Sequence, residues 1–208
     1  MASPTPGAER AIRQIVQPAK DAIRAVVRAS RAARTAEDRR TDDLARTELL
    51  LSDLQEWTPR VVAAYASTGD EPGTDALLDA LVARGVTVLL PVLSATAAGP
   101  RATAEWAAYE GRGALRSGLW GIPEPTSRTL GVTAIEQAEL VVMPGIAGTV
   151  AGDRLGTGGG WYDRALVGTT SPRWMLLNED ELYESVPLDP WDLPVSRIVT
   201  ATRVLRCR

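Results

Sequence analysis

Apolar positions along the chain fall into two regimes. From Lys20 to about Trp57, residues Ile23, Val26, Val27, Leu44, Leu49, Leu50 and Leu54 recur at helical spacings, while Arg24, Arg28, Arg31 and Arg34 fall on other faces. This predicts two helices broken near Thr35, where Thr35 and Asp38 form a helix-start signature with an acidic residue in the first turn. Beyond Trp57 the apolar runs shorten and stop alternating. Arg60 to Tyr65 (RVVAAY) and Val86 to Val92 (VTVLLPV) read as strands around an amphipathic helix at Thr74 to Arg84, with Gly85 as the link. Uniformly apolar strands of this kind belong to a parallel sheet covered on both faces. Strand character recurs at Ala104 to Tyr109, Glu139 to Pro144 (ELVVMP), Arg173 to Leu177 and Arg197 to Leu205. The expected fold class is therefore α/β, an open, mostly parallel sheet with flanking helices and its site at one sheet edge. The first dozen residues are rich in Ala, Ser and Pro, so the expected organisation is a flexible segment 1–17 and a single domain 18–208.

Composition narrows the chemistry. With 23 basic and 26 acidic residues the net charge is -3, so no global basic field exists to hold a nucleic-acid backbone. Cys207 is the only cysteine, which excludes an intramolecular disulfide and a multi-cysteine metal site. No long apolar run suited to a membrane occurs, and MASPTPGAER lacks the order of a secretory signal, so a cytoplasmic location is expected. The chain has no histidine. Serine–histidine and cysteine–histidine nucleophile pairs are thereby removed, and chemistry is left to carboxylates, arginines, backbone amides and a bound ion.

The segment Pro144 to Asp163 reads PGIAGTVAGDRLGTGGGWYD, with glycine at 145, 148, 152, 156, 158, 159 and 160. Such density lets backbone N–H groups converge on an anion, as in a phosphate cradle. WYDRALVG reads as a helix, which would set Gly158 to Gly160 at a helix N-terminus with Arg154 and Arg164 flanking the loop. The loop matches neither the Walker A pattern nor the dinucleotide fingerprint. Its bland alternative is a flexible connection of tight turns. Asp163 favours the cradle, because a carboxylate after a phosphate-binding loop can hold magnesium against a nucleotide.

These residues resemble the 5-formyltetrahydrofolate cyclo-ligase (methenyltetrahydrofolate synthetase) family over Lys20 to about Thr200. The strongest element is RLGTGGGWYDR, Arg154 to Arg164. Lys20 with Arg24, Tyr65 with Glu71 and Thr74, WGIPEP, and Pro187 with Asp192 occur in the same order as in the family. The resemblance implies a NagB/RpiA/CoA-transferase-like three-layer sandwich preceded by N-terminal helices. It also implies ATP- and magnesium-dependent cyclisation of 5-formyltetrahydrofolate to 5,10-methenyltetrahydrofolate through a phosphorylated formyl group. The ATP-binding set it implies is Lys20, Arg24, Arg154, Leu155, Gly156, Thr157, Gly158, Gly159, Gly160, Trp161 and Tyr162, with Lys20 and Arg154 as the catalytic pair. Ala66, Glu71, Trp120 and Thr157 to Trp161 would face the folate, and Asp163 and Asp192 would hold magnesium. A monomer whose partners are a reduced folate and ATP is expected.

Bland roles stand beside these. Arg24 alone would be a solvated helix face, Glu71 a turn closure, Asp192 a turn cap and Trp120 plain core. Trp57, Trp106, Trp174 and Trp191 read as packing residues. The chain also departs from the family: Gly148 and Thr149 stand where an aromatic and an Asp are usual, Trp161 replaces Tyr, and Trp191 replaces His. These departures keep a second reading open, a folate- or nucleotide-binding protein of the same fold without turnover.

Overall fold

Thr35 ends one helix and starts the next. Its extended backbone and its hydroxyl, which accepts the Asp38 N–H at 3.1 Å, cap the second helix at the expected point. The computed structural model describes residues 6–55, 57–94 and 103–208, with side chains from residue 16 onward, and these helices are α1 (Pro6–Ala33) and α2 (Ala36–Asp53). α1 therefore reaches back into the stretch expected to be a loose end, of which residues 1–5 lie outside the described residues.

The sheet core follows: β1 (Val61–Ala63), α3 (Asp75–Ala83), β2 (Thr87–Val92) and the antiparallel β3 (Glu105–Ala108). A small ribbon pairs β4 (Leu115–Ser117) with β5 (Pro123–Pro125). Next come β6 (Leu140–Pro144), a second ribbon of β7 (Ala147–Gly148) and β8 (Arg154–Leu155), and α4 (Trp161–Ala165). The chain closes with β9 (Arg173–Leu176), β10 (Arg197–Val199) and β11 (Val204–Arg206). The main sheet has the order β11-β10-β9-β6-β1-β2-β3, parallel through its five central strands and antiparallel at both edges.

Side-chain alternation divides the core. Val62, Val88, Leu90, Val142 and Trp174 face Leu50 and Leu54 of α2 and Leu77, Leu78 and Leu81 of α3. Ala63, Leu89, Val141, Met143, Met175 and Ile198 face Trp106, Leu166, Val195 and the 3-10 turn Val132–Gln137. Burying about 25 cal/mol per Å² of apolar surface on both faces drives this layering.

The helical face of α1 is the main surprise. Val26 is 61% exposed, whereas Lys20, Arg24, Val27 and Arg31 are buried. Those four positions, spaced by four, three and four, form a single helical stripe, and the stripe is polar because it lies across the carboxyl ends of the strands rather than on the apolar sheet. α2 likewise buries Arg46 and exposes Leu44. The Arg46 guanidinium donates to Leu177 O, Asn178 Oδ1 and Asp43 Oδ1.

Thr74 stands at the start of α3 but its hydroxyl does not cap it. It donates instead to Tyr65 O and accepts from Ser67 N, pinning the turn that follows β1.

Candidate active site

Strand order fixes where a site can form. From β1 the chain moves to β2 on one side and later to β6 on the other, so their carboxyl ends diverge and leave a crevice. A cavity of about 700 Å³ opens there, walled by α1, the turn after β1, the glycine-rich turn and the Asp189–Asp192 segment.

The glycine-rich turn is held at both ends. At its foot, β7 and β8 pair through Ala147 with Leu155 and Gly148 with Arg154. Leu155 is buried among Val27, Ile146 and Val186, so its side chain belongs to the core and not to the cavity wall. At its tip, Gly158 has φ +109°, which a side-chain-bearing residue rarely adopts, and it lies against the Arg24 guanidinium. Arg24 Nε donates to Gly156 O at 3.0 Å. The following helix is shorter than the sequence suggests: α4 is one turn, ended by Leu166, whose carbonyl accepts from Thr169, and by the left-handed Gly168. A single turn sums little dipole, so the positive character of this loop comes from individual amides and arginines.

Arg154 and Lys20 join the buried Arg24 in supplying positive charge to the crevice. The Arg154 guanidinium pairs with Asp163 Oδ1, and its buried Nε has no hydrogen-bond partner among the described residues. The Lys20 ammonium is 2.8 Å from Asp189 Oδ2 and 2.5 Å from Asp192 Oδ2. Asp192 N donates to Asp189 O and Asp189 N to Asp192 Oδ2, a tight turn that turns both carboxylates toward α1.

The other wall is apolar and aromatic. Tyr65, Ala66, Leu93, Trp106, Ile122 and Tyr162 line it. Burial pushes the Tyr65 and Tyr162 phenols well above their ordinary range, with the nearby Glu71 adding to the effect. Both stay protonated and donate, Tyr65 to Pro72 O at 2.7 Å and Tyr162 to Ala64 O at 3.3 Å. Tyr162 meets Trp106 edge-on at 6.3 Å, and Arg164 lies over the Trp161 ring at 4.9 Å.

Of the residues singled out from the sequence, Lys20, Arg24, Ala66, Glu71, Arg154, Asp192 and the run Gly156 to Asp163 all line this cavity. Glu71 is also a turn closure, accepting from Thr68 N and Oγ1. Trp120 does not line the cavity and is not core: it is 72% exposed at the mouth, edge-on to Trp161 at 6.3 Å, with a left-handed backbone, φ 56°. Of the tryptophans read as packing residues, Trp106 is core and also lines the cavity, Trp191 lines the cavity, Trp174 is core and Trp57 is partly exposed. Sequence reasoning missed Asp189, Tyr65 as a wall and the buried partner of Arg31. The spacing of Lys20, Arg24, Val27 and Arg31 was the available signal for the last.

The departures at Gly148 and Thr149 fall outside the cavity wall. A Cβ on Gly148 would come 2.6 Å from Met175 Cε and 2.8 Å from Ile198 Cδ1, so core side chains fill the space an aromatic would need. The Thr149 hydroxyl contacts Asp153 Oδ2 at 3.0 Å and accepts from Asp153 N, so the loop base keeps a carboxylate four residues on.

A glycine-rich turn facing paired acids and bases at the switch point of an α/β sheet, beside an aromatic wall, places the chain among α/β proteins whose crevice is built to receive a small ligand. Comparison makes this specific: the family model described as "5-formyltetrahydrofolate cyclo-ligase family" matches residues 16–201, and the chain belongs to that family. It is 36% identical over 146 residues to a 5-formyltetrahydrofolate cyclo-ligase of Mycolicibacterium smegmatis, covering 69% of this chain and 75% of the relative. A cyclo-ligase of Escherichia coli K12 is 31% identical over 147 residues, 69% of this chain and 79% of the relative. The NMR structure of Aquifex aeolicus 5,10-methenyltetrahydrofolate synthetase superposes with a TM-score of 0.73 at 26% identity, covering 91% of this chain and 93% of that one.

Proposed function

We propose that the protein catalyses ATP-dependent cyclisation of 5-formyltetrahydrofolate to 5,10-methenyltetrahydrofolate with release of ADP and phosphate. The observation that carries this reading is one cleft holding both halves of the chemistry in a chain of the cyclo-ligase family: Lys20, Arg154 and glycine amides on one side, an aromatic wall on the other. The formyl oxygen attacks the γ-phosphorus while the bond from that phosphorus to the ADP oxygen breaks. The neighbouring N10 then attacks the formyl carbon, the carbon–oxygen bond breaks with phosphate as the leaving group, and the N10 proton is released.

This route needs placement and charge neutralisation more than a strong base, which suits a chain without histidine. Lys20 supplies a point charge to the phosphates, Arg154 a forked donor, and Arg24 fixes the turn through Gly156 O. The buried wall of Tyr65, Trp106 and Tyr162 excludes water and takes the folate rings, with Trp161 at the rim.

The donor set suits magnesium. Of the four carboxylates that line the cavity, Glu71 closes its own turn, while Asp163, Asp189 and Asp192 face the glycine-rich side, and Asp189 Oδ1 is buried without a hydrogen-bond partner among the described residues. No group of three or more such side chains forms a ready-made cage among the described residues, in keeping with an ion that draws most of its ligands from phosphate and water. Asp163 and Asp192 would hold it, each exchanging part of its present pairing. Magnesium, when bound, neutralises the phosphate charge.

Purified protein incubated with 5-formyltetrahydrofolate, ATP and magnesium should yield the methenyl chromophore with one ADP per turnover. Tight binding of either ligand without ADP release would establish the non-catalytic alternative. ATP hydrolysis stimulated only by a different formylated compound would replace the substrate.

A further inference from the structure

Lys20 is the only lysine in the chain, and its buried ammonium faces two carboxylates. The two acids are not equivalent. Asp192 Oδ2 is shared between Lys20 and the Asp189 N–H, whereas the Asp189 carboxylate has one oxygen on Lys20 and the other buried with no hydrogen-bond partner among the described residues. One cation against two anions leaves surplus negative charge on this wall.

We propose that Asp189 is a positioning residue that keeps the Lys20 ammonium aimed into the cleft, so that Asp192 is free to turn toward the cation of a bound nucleotide. The inference rests on the nucleotide reading of the site. A buried ammonium deprived of its only counter-ion is strongly destabilised, so a site with Asp192 alone could not release it to a metal and still hold Lys20. With Asp189 in place the ammonium stays paired throughout. The unpartnered Asp189 oxygen gives room for this: the carboxylate can move to a two-oxygen grip as Asp192 leaves, without abandoning another contact.

A single lysine allows a direct test. Acylation of Lys20 by an amine-reactive ester, read by peptide mass spectrometry, reports how firmly the ammonium is held, without nucleotide. Asp189→Asn should speed that acylation at least about fivefold, and Asp189→Glu should restore protection. Asp192→Asn should change it less than about twofold, because Asp189 alone suffices. In kinetics, Asp189→Asn should raise KM for ATP about tenfold with a smaller change in kcat, and should add nothing in a Lys20→Met background.

Unchanged acylation in Asp189→Asn, or a KM effect that persists undiminished in Lys20→Met, overturns the proposal. If Asp189→Asn does not fold, Asp192→Asn still decides: acylation accelerated fivefold there means that Asp192, not Asp189, holds the lysine. A parent protein that binds no ATP overturns the nucleotide reading together with this one. Normal ATP binding in the parent with an indifferent Asp189→Asn overturns this one alone.

Discussion

Arg31 and Arg154 lie almost equally deep beside the glycine-rich loop, at 3% and 4% exposure, yet they are satisfied to different degrees. Arg31 donates to both oxygens of the buried Glu181, at 2.6 and 2.7 Å, and to Gly145 O at 2.8 Å. Glu181 in turn accepts from Asn178 N and Nδ2, so the cluster is closed. Burial lowers the affinity of the Arg31 guanidinium for its proton, and the Glu181 pair more than restores it, leaving its pKa raised. Among the described residues Arg154 has one carboxylate partner, Asp163, and a buried Nε without one. A closed network fixes the fold, whereas an open one keeps donor capacity for a ligand.

That contrast can be broken by mutation. Arg31→Met strands Glu181 as a buried charge and should cost about 3–5 kcal/mol in denaturant melts, while the folded fraction keeps the parent affinity for ATP. Arg154→Met should show the reverse, a loss of about 10²–10³ in kcat/KM with a much smaller change in melting. Equal stability losses in the two variants would erase the distinction.

Alkali sharpens it from another side. Tyr65, Tyr109 and Tyr162 all have phenols pushed up by burial, so the folded state binds their protons more tightly than the unfolded chain. Their contribution is complete below the unfolded tyrosine pKa of about 10 and falls above it by up to about 1.4 kcal/mol per tyrosine per pH unit. Denaturant melts from pH 8 to 11 should show this decline, reduced in Tyr162→Phe. The smallest effect belongs to the rim. Trp120→Ala should raise KM for the folate about threefold to tenfold and leave the melting temperature unchanged, since the side chain is largely exposed.

Much of the fold is legible in the sequence because a parallel sheet needs uniformly apolar strands, and RVVAAY, VTVLLPV and ELVVMP have no other use. The glycine-rich turn at the crevice is legible for a similar reason: few other structures call for so many residues without side chains. The polar stripe of α1 is not, because periodicity assigns apolar residues to the inside, while this helix lies on a sheet edge where backbone carbonyls and carboxylates are its neighbours. Asp189 is hidden for a different reason. Its role depends on Lys20, 169 residues away, and no local pattern encodes that meeting. Nor does α4 follow its pattern, since Gly168 and Thr169 end it after one turn.

The ribbon beneath the glycine-rich turn has a mechanical consequence. With Leu155 anchored and Gly148 wedged against Met175 and Ile198, the stem behaves as a stiff post, and compliance is confined to the five residues at its crest. Insertions at that crest would alter the wall of the crevice while sparing cooperative unfolding, so the shape of the crevice and robustness can drift separately in such a chain.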